Sequence, residues 1–528
     1  MAELFLGIDS STQGTKVICL DLSDRSITYL DYLNYDRELP QYGTRNGVIP
    51  SDQPGLSEAD PRMWIDALKI LFQRMKTSGF PMREIKAISV SGQQHGLVTL
   101  DAEGNLTRSR SKLWNDYSTV EECKLLTESV GGKQKMIEEI GNSQRPGYTA
   151  GKIFHLYRHE PETARKTTTF FLVHNYINWF LTGGIRIMEP GDVSGMALRH
   201  PGSTEWSEKV CHSISPDLIS KLPPVKPSDE MIGTICPSLV ESFGFSPECQ
   251  IAPGSGDNMH GAIGTGNIEP GIVTVSLGTS GTAYTIFNEP YVDTEGEIAS
   301  FCDSTGKFLA LLCVSNMANG YNQILDLYKL NHEEFNQILQ QTPAGNRGRI
   351  LIPWYSGERT PDLPLASPIY FAFRLEDFNR EVLCRAVLEG HVLNLYDGYI
   401  RMPITPREIR LTGGLSKSEA WCQTIADVFG VQTVPVEGEG AALGAALHAA
   451  WVYSKTKGSP HSLKELTNAF VRLDESRRKI PQHQDIYGPL RSAYHELSRR
   501  LRHKMGKVDL FEWANRMRGD VSGDLSRN

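Results

Sequence analysis

Short apolar runs separated by small-residue turns mark the beginning of the sequence. Residues 4–8 form one such run and residues 16–22 form another, and runs of this length are typical of buried strands. The segment between them, residues 7–14, is rich in small and hydroxyl side chains. Two strands joined by a short turn predict a β-hairpin within the first 22 residues.

The pattern then alternates between helical and strand periods. Apolar positions three and four residues apart predict a helix over residues 61–78, with Pro61 at its first position. Strands are predicted over residues 85–90 and 97–100, on either side of a polar loop. This alternation predicts an α/β chain. Further strands are expected at residues 250–252, 272–276 and 409–411, and helices from Glu419 and over residues 440–451.

The first turn has a counterpart in the middle of the chain. Residues 9–15 align without a gap with residues 276–282, so that Thr12 matches Thr279. Each segment joins two predicted strands with the same turn chemistry. The match predicts a duplicated domain, although two short hairpins rich in Gly and Thr can also resemble each other by chance.

The size and composition of the chain limit the possible classes of protein. With 528 residues it exceeds a single ordinary core, which favours two or more domains. Hydrophobic residues make up 40% and charged residues 22%, as in folded globular proteins. The 54 basic and 62 acidic side chains give a formal charge of −8, which argues against nucleic acid or an anionic membrane as the main partner. No apolar run approaches the ~20 residues of a membrane span, so we expect a cytoplasmic protein.

The number and spacing of the cysteines also favour a cytoplasmic protein. The nine cysteines are scattered along the chain and never form a C-x-x-C pair. Neither a zinc site nor a disulfide framework is therefore predicted. We expect reduced thiols, most of them buried in the core.

The two matching turns carry the chemistry that phosphate groups require. Each offers main-chain N–H groups, hydroxyls and small side chains close together. Two such turns facing each other across a cleft can hold a triphosphate from both sides. The sequence contains neither G-x-x-x-x-G-K-[S/T] nor a clean G-x-G-x-x-G after a strand, so neither a P-loop nor a Rossmann dinucleotide site is predicted.

Asp9 and Asp257 are the candidate acidic groups of the site. Asp9 ends the first predicted strand, where its carboxylate would repel phosphate unless Mg²⁺ lies between them. Asp257 lies within residues 253–258, where glycines leave room for a ligand to approach. A carboxylate exposed there suits a general base. Each residue also has a simpler interpretation, Asp9 as a cap residue and Asp257 as an ordinary turn residue.

A third turn that suits a nucleotide follows the predicted strand at residues 409–411. Gly413 and Gly414 lie between this strand and the helix predicted from Glu419. A strand–Gly-Gly–helix junction suits the adenosine or the α-phosphate of a nucleotide. The helix over residues 440–451 is rich in alanine and is predicted to pack closely beside that site.

Taken in chain order, these motifs resemble a known family. The chain resembles the FGGY carbohydrate kinases, and within them the xylulokinases most closely, from residue 4 to about residue 502. One such motif would be weak, whereas the ordered set is specific. The segments that carry the resemblance are residues 8–16, 91–96, 113–116, 256–258, 276–281, 356–361, 385–390 and 413–414.

The resemblance implies two duplicated, actin-like (ribonuclease-H-like) α/β domains, residues 1–262 and 263–528, with an ATP and sugar cleft between them. It implies Mg²⁺-ATP as the phosphoryl donor, D-xylulose as the acceptor at its 5-hydroxyl, and in-line transfer with Asp257 as the base. The implied sugar contacts are Gln94, His95, Asp116, Asp257 and Asn258. The implied nucleotide contacts are Thr12, Gln13, Lys16, Gly278, Thr279, Ser280, Gly413, Gly414 and Ser418, and the implied metal ligands are Asp9 and Asp257.

Several alternatives stay open at this point. His95 either contacts the sugar or braces its loop, Trp114 either stacks on a sugar face or fills the core, and Asp116 either contacts the sugar or makes a structural hydrogen bond. The acceptor can also be another sugar or polyol, such as ribulose, gluconate or glycerol. A binding protein of the actin or chaperone ATPase type is disfavoured, because such a machine needs no sugar pocket. Monomer and homodimer are both compatible with the sequence.

Overall fold

The computed structural model describes residues 3–438, 440–458 and 461–502. In the first half of the chain the strands are β1 (Leu4–Ser10), β2 (Gly14–Asp21), β3 (Ser26–Asn34), β4 (Glu58–Ala59), β5 (Ile85–Gly92), β6 (Val98–Leu100), β7 (Ser111–Lys112), β8 (Thr169–Phe171), β9 (Gly233–Thr234), β10 (Gln250–Ile251) and β11 (Ser255–Gly256). The helices are α1 (Tyr35–Glu38), α2 (Pro61–Thr77), α3 (Val120–Ser129), α4 (Lys133–Ile140), α5 (Thr149–His159), α6 (Pro161–Lys166), α7 (Val173–Thr182), α8 (Pro190–Val193), α9 (Glu208–Ile214), α10 (Leu218–Lys221), α11 (Pro237–Phe243) and α12 (Asp257–Gly264). Short 3-10 turns occupy Pro40–Tyr42, Met82–Glu84 and Ser194–Met196.

The second half repeats this mixture of strands and helices. Its strands are β12 (Ile272–Leu277), β13 (Gly281–Phe287), β14 (Ala299–Cys302), β15 (Phe308–Val314), β16 (Ile350–Ile352), β17 (Ile369–Phe371), β18 (Glu408–Thr412), β19 (Thr433–Glu437) and β20 (Arg472–Leu473). Its helices are α13 (Ala318–Tyr328), α14 (His332–Gln341), α15 (Arg380–Tyr399), α16 (Glu419–Phe429), α17 (Gly440–Thr456), α18 (Leu463–Phe470) and α19 (Gln484–Arg502). Its 3-10 turns are Ala344–Gly348, Leu375–Asp377, Gly414–Lys417 and Glu475–Arg477.

Two large mixed sheets with the same central order organise these elements into two α/β domains. The first sheet contains the order β3-β2-β1-β5-β10, and the second contains β15-β13-β12-β18-β19. In each, three antiparallel strands are followed by two parallel strands. The repeated order confirms the duplication predicted from the two hairpins. The predicted boundary after residue 262 stays a prediction and falls just inside the end of α12, while residues 503–528 of the predicted second domain lie outside the described residues.

The two matching turns differ by one residue, which the gapless alignment does not reveal. In the first hairpin, Ser10 pairs with Thr15 and encloses residues 11–14. In the second, Leu277 pairs with Gly281 and encloses only three residues. The second turn is therefore tighter, although both hairpins leave their turns at the carboxyl edge of a parallel strand pair.

Helix α2 covers one face of the first sheet. The Asp60 side chain accepts a hydrogen bond from the Arg62 main-chain N, and Pro61 occupies the first position, so the helix begins where the sequence predicts. Trp64 and Leu68 are completely buried in the core that this helix shares with β1 and β5. This packing keeps the parallel strands of the first sheet in place beneath the site.

Helices α12 and α17 cross with their backbones in contact. A Cβ atom added to Gly444 would lie 1.8 Å from the His260 main-chain O, and one added to Gly264 would lie 1.8 Å from the Gly440 main-chain O. Helix α17 also lies against the first sheet, where a Cβ atom on Gly7 would lie 2.2 Å from the Ala442 main-chain O. The alanine-rich helix is closely packed, but the partners observed are α12 and the first sheet, and its predicted place beside Gly413 and Gly414 stays a prediction.

The predicted burial of most of the cysteines is confirmed. All nine cysteines are free thiols, eight of them buried and Cys313 half-buried. In the part of the chain that the structure describes, no helix has both the length and the apolar character needed to cross a membrane.

The crossing of α12 and α17 leads to a stability prediction. Gly444→Ala should lower the free energy of unfolding by about 1–3 kcal/mol, because its methyl group meets backbone atoms that cannot move aside. Urea denaturation followed by circular dichroism measures the change. Gly261→Ala is the matched control in α12, because its nearest neighbour is the Tyr284 hydroxyl at 3.2 Å, which can shift. An equal loss in both variants would contradict this account.

Candidate active site

Asp257 lies where two strands of the first sheet end and a helix begins. Strand β11 pairs in parallel with β5 through Ser255 and Gly256, and α12 starts at the next residue. The carboxylate is half-buried and lines a cavity of about 570 Å³. A strand end beside a helix N-terminus is a usual place for a catalytic side chain in an α/β sheet.

Both halves of the chain contribute to this cavity. Its walls combine polar side chains with aromatic rings, the mixture that small-molecule sites commonly use. From the first half they include Gln94, His95, Trp114, Tyr117, Arg145, Tyr148, Asp257 and Asn258. From the second half they include Ser280, Thr282, Phe301, Cys313, Glu358 and Arg359. Of the predicted site residues, the structure thus brings together Gln94, His95, Asp257, Asn258 and Ser280.

The surroundings of Asp257 favour its protonated form. Burial, followed by the charges of Asp9 and Asp192, raises the pKa of Asp257 to about 8. Asn258 Nδ2 donates to Asp257 Oδ1 at 3.1 Å and to Gln94 Oε1 at 2.6 Å. These bonds hold one carboxylate oxygen in place and link it to the loop after β5.

Asp9 occupies the equivalent edge position on β1. Its Oδ1 accepts a hydrogen bond from Ser91 Oγ at 2.8 Å, across the parallel pair of β1 and β5. Burial raises the pKa of Asp9 to about 6, although the Ser91 hydroxyl and the charge of Lys16 act in the opposite direction. Asp9 and Asp257 therefore lie on one edge of the sheet, close enough for the charge of Asp9 to raise the pKa of Asp257.

These two carboxylates fit a divalent cation. A positive charge between them would stabilise both ionised forms. No group of three or more acidic, His or Cys side chains within the described ranges forms a closed metal cage. Mg²⁺ suits such an open site, because it prefers one or two carboxylates together with water and phosphate oxygens.

His95 is held at the cavity wall by its backbone as well as its ring. Its φ of 65° is left-handed, and its main-chain O accepts hydrogen bonds from Lys152 Nζ at 2.8 Å and Thr149 Oγ1 at 3.2 Å. The ring lies edge-on to Tyr148, with centroids 4.9 Å apart, and tilted against Phe301 at 5.9 Å. His95 thus both braces its loop and lines the cavity.

Trp114 is not a core residue. Its side chain is 37% exposed and lines the cavity. Its Nε1 donates to Thr12 Oγ1 at 2.9 Å, and Thr12 in turn donates to Gln93 Oε1 at 3.4 Å. The interpretation of Trp114 as core filler is therefore wrong. The indole links the cavity to the turn between β1 and β2, residues 11–14, which is the first of the two turns predicted to bind phosphate.

Asp116, a predicted sugar contact, lies outside the cavity lining. It is completely buried, and its Oδ2 accepts from the Ser57 main-chain N at 2.9 Å. Its Oδ1 accepts from the Ser118 hydroxyl at 2.7 Å, and Lys112 Nζ lies 3.5 Å from Oδ2. Its carboxylate joins two loops and is not part of the cavity wall. The structural hydrogen bond, the alternative interpretation from the sequence, is the one observed.

The predicted nucleotide residues of the second half lie around the ends of β12 and β18. Gly413 has a φ of +85°, and a Cβ atom there would lie 2.6 Å from the Leu277 main-chain O, whereas Gly414 faces open space. Gly278 and Thr279 follow β12, and their main-chain oxygens accept hydrogen bonds from the N-terminal end of α13. The open surface at Gly414 leaves room for a nucleotide beside the second phosphate turn.

The other predicted nucleotide contacts, Gln13, Lys16 and Ser418, each contact another residue of the protein. Ser418 Oγ donates to Asn336 Oδ1 at 2.8 Å. The Gln13 main-chain O accepts from the Tyr35 main-chain N at 3.0 Å, and the Gln13 side chain is exposed. Lys16 Nζ lies 5.8 Å from the centroid of the Tyr32 ring. Nucleotide binding by Gln13, Lys16 and Ser418 stays a prediction.

The sequence did not identify four residues that shape the cavity. Tyr148, Phe301 and Arg359 line it, and Lys152 anchors the loop of His95. Burial lowers the pKa of Lys152 to about 7. Arg359 lay within a recognised motif but carried no assigned role, and its guanidinium contacts the Tyr117 hydroxyl from the opposite half of the chain. Tyr148, Phe301 and Lys152 had no signal in the local sequence.

Comparison with known proteins shows the family of the chain. Residues 4–264 match the N-terminal domain and residues 273–453 the C-terminal domain of the FGGY family of carbohydrate kinases. Xylulose kinase from Haemophilus influenzae is 35% identical over 489 residues, which cover 90% of this chain and 95% of that protein. Xylulose kinase from Streptomyces coelicolor is 32% identical over 499 residues, which cover 93% and 96%.

A solved structure has the same fold. Ligand-bound xylulose kinase from Lactobacillus acidophilus superimposes with a TM-score of 0.84 at 22% identity, covering 95% of this chain and 99% of that one. The two family domains together span most of the chain, and they include both carboxylates and both phosphate turns. The chain therefore belongs to the FGGY family of carbohydrate kinases and is an ATP-dependent sugar kinase.

Proposed function

We propose that this kinase transfers the γ-phosphoryl group of Mg²⁺-ATP to the 5-hydroxyl of D-xylulose, with Asp257 as the general base. The observation that carries the proposal is that the Asp257 carboxylate shares one cavity with Gln94, His95 and Asn258 and with Ser280 of the second phosphate turn. An acceptor and a phosphoryl donor can therefore meet at one carboxylate. The names of the similar proteins supply the choice of sugar.

Asp257 takes the proton of the attacking hydroxyl in this mechanism. A carboxylate whose pKa is raised to about 8 is a stronger base than an ordinary aspartate once it is ionised. The bond from Asn258 Nδ2 keeps the carboxylate in a fixed orientation. Because phosphoryl transfer depends mainly on positioning and charge stabilisation, a fixed base and a fixed acceptor account for most of what the protein must supply.

The residues proposed to bind Mg²⁺-ATP lie at the strand ends of both sheets. Asp9 and Asp257 would hold Mg²⁺, which neutralises charge on the phosphate oxygens when it is bound. Thr12 and the second turn, Gly278 and Thr279, provide hydroxyl and main-chain N–H groups for the β- and γ-phosphates. Gly413 and Gly414 border the surface proposed for the rest of the nucleotide.

The acceptor side combines hydrogen-bonding groups with flat apolar surfaces, as a sugar requires. Asn258 Nδ2 donates a hydrogen bond to Gln94 Oε1. Gln94 Nε2 has no hydrogen-bond partner in the described part of the chain. The rings of Tyr148 and Phe301 flank His95. Closure of the two domains over the sugar would exclude water and limit hydrolysis of ATP.

The first prediction concerns the acceptor. Purified protein with Mg²⁺-ATP should release ADP with the highest kcat/KM on D-xylulose, compared with D-ribulose, gluconate and glycerol. A coupled assay for ADP measures each rate, and a reaction without sugar is the control. A higher kcat/KM on any of the other three acceptors would assign the enzyme to that substrate and contradict the proposal.

The second prediction concerns the base. Asp257→Asn keeps the shape of the side chain but cannot accept the proton, so kcat should fall by about 10²–10⁴-fold. Calorimetric titration should still detect ATP binding. Asp427→Asn is the control, because Asp427 is a buried aspartate in α16 whose carboxylate only accepts structural hydrogen bonds. Wild-type turnover by Asp257→Asn would remove Asp257 from the role of base.

The third prediction concerns the metal. Asp9→Asn removes one of the two negative charges at the sheet edge, so the free Mg²⁺ concentration that gives half-maximal activity should rise at least about tenfold. Titration of activity with Mg²⁺ at saturating ATP and sugar measures it. Ser91→Ala removes the hydrogen bond to Asp9 but keeps its charge, and it should shift the requirement less. An unchanged Mg²⁺ requirement in Asp9→Asn would exclude Asp9 as a ligand.

A further inference from the structure

A buried carboxylate outside the predicted site lies between two histidines. Asp192, in helix α8, is completely buried. Its Oδ1 accepts from the His95 main-chain N at 3.4 Å and lies 3.8 Å from His95 Nδ1. Its Oδ2 lies 3.4 Å from His174 Nδ1. Each carboxylate oxygen therefore faces one imidazole, and the one at His95 belongs to the wall of the acceptor cavity.

The position of the proton on His174 follows from its neighbours. Asn175 Oδ1 accepts from the Leu172 main-chain N at 3.3 Å, which fixes the orientation of the Asn175 amide. Asn175 Nδ2 then donates to His174 Nε2 at 2.8 Å, so Nε2 carries a lone pair. Nδ1, which faces Asp192 Oδ2 at 3.4 Å, is therefore the ring nitrogen that carries a proton.

The same reasoning applies to His95. Its Nδ1 is buried and has no hydrogen-bond partner among the residues that the structure describes, and the facing acceptor is Asp192 Oδ1. A lone pair on Nδ1 would be repelled by the carboxylate, whereas an N–H group is attracted. Burial lowers the pKa of His95 to about 4, with Asp192 opposing the shift, so the ring carries a single proton at neutral pH.

The second buried carboxylate in this region does not compete for the two rings. Glu189 Oε1 lies 3.7 Å from His174 Nε2, the ring nitrogen that accepts from Asn175 Nδ2 and therefore has no proton to donate. Its oxygens instead accept from Ser255 Oγ and from the main-chain N atoms of Gly191 and Asp192. Glu189 thus fixes α8 and the strand that leads to Asp257, and it leaves the imidazoles to Asp192.

We propose that Asp192 is a positioning residue of the acceptor site, which holds His95 with its proton on Nδ1 so that Nε2 accepts a hydrogen bond from a hydroxyl of the sugar. This inference rests on the proposed function for the identity of the sugar, but not for the position of the proton. A ring fixed in this tautomer selects an acceptor with a hydroxyl group at that point and rejects one with a carbonyl oxygen there, because two acceptor atoms would then face each other.

The direct test reads the proton positions in the wild-type protein. Selective ¹⁵N labelling of its 14 histidines gives a pair of ring nitrogen shifts for each. His95→Gln and His174→Gln identify the two signals by their loss. We expect a protonated Nδ1 and an unprotonated Nε2 in both rings at pH 7. A protonated Nε2 in His95 would overturn the proposal without any variant of Asp192.

The kinetic test removes both acceptor oxygens. Asp192→Leu should raise KM for D-xylulose by about three- to tenfold, the effect of one lost hydrogen bond, with KM for ATP changed less than about twofold. The ring nitrogen shifts of His95 should move toward a mixture of tautomers. Asp427→Leu is the matched control and should leave both the shifts and KM unchanged.

The outcomes separate the two proposals. An unchanged KM in a folded Asp192→Leu protein would overturn the role of Asp192. If that variant does not fold, the wild-type ring shifts decide. If the wild-type enzyme does not phosphorylate D-xylulose but His95 carries its proton on Nδ1, the choice of sugar fails while the placement of the proton by Asp192 stands.

Discussion

The backbone contact between α12 and α17 is the constraint on which the site depends. Helix α12 starts at Asp257, and α17, from the second half of the chain, crosses it where Gly264 and Gly444 allow the two backbones to meet. Helix α17 also contacts β1, the strand that ends near Asp9. The contact is made at Gly7, which has no side chain to separate the two backbones. Both carboxylates of the site are therefore attached to elements that one helix of the other half holds by main-chain contact. Side-chain rearrangements cannot adjust such a contact, so the spacing of the two carboxylates is set by the fold.

A buried polar layer supports the sugar side of the cavity. Lys152, Asp192 and Glu189 have almost no exposure, and each uses its polar atoms to fix a loop, a helix or an imidazole. Burying charge in this way is costly unless it is paired. In this protein the hydrogen bonds of the buried groups offset part of that cost, and the bond from Lys152 also holds the His95 backbone in a left-handed conformation that few residues tolerate.

Those parts of the fold and site that depend on local turn chemistry were predictable from sequence. The two hairpins, the duplication, the Gly-Gly junction and the position of Asp257 after a strand each have a short-range pattern. Contacts between distant segments had none: Tyr148 precedes α5, Phe301 lies on β14, and they meet only around His95. The choice between the two roles of Asp116 was left open by the sequence for a related reason. Its residue type suits a sugar contact, but the direction of its carboxylate is decided by Ser57, 59 positions earlier.

The duplication of the sheets does not extend to their charge. Asp9 pairs with Ser91 on the first sheet, and the corresponding parallel pair on the second sheet is Ser276 with Thr412. At these matched positions the first sheet thus bears a carboxylate, whereas the second bears only hydroxyl groups. In the proposed reaction, this difference in charge would draw a cation, and the terminal phosphate that it accompanies, toward the first sheet, while the rest of the nucleotide would lie at the strand ends of the second sheet without meeting a carboxylate there. The fold is repeated but this charge is not, so in the proposed reaction the phosphoryl donor would be oriented before the acceptor binds.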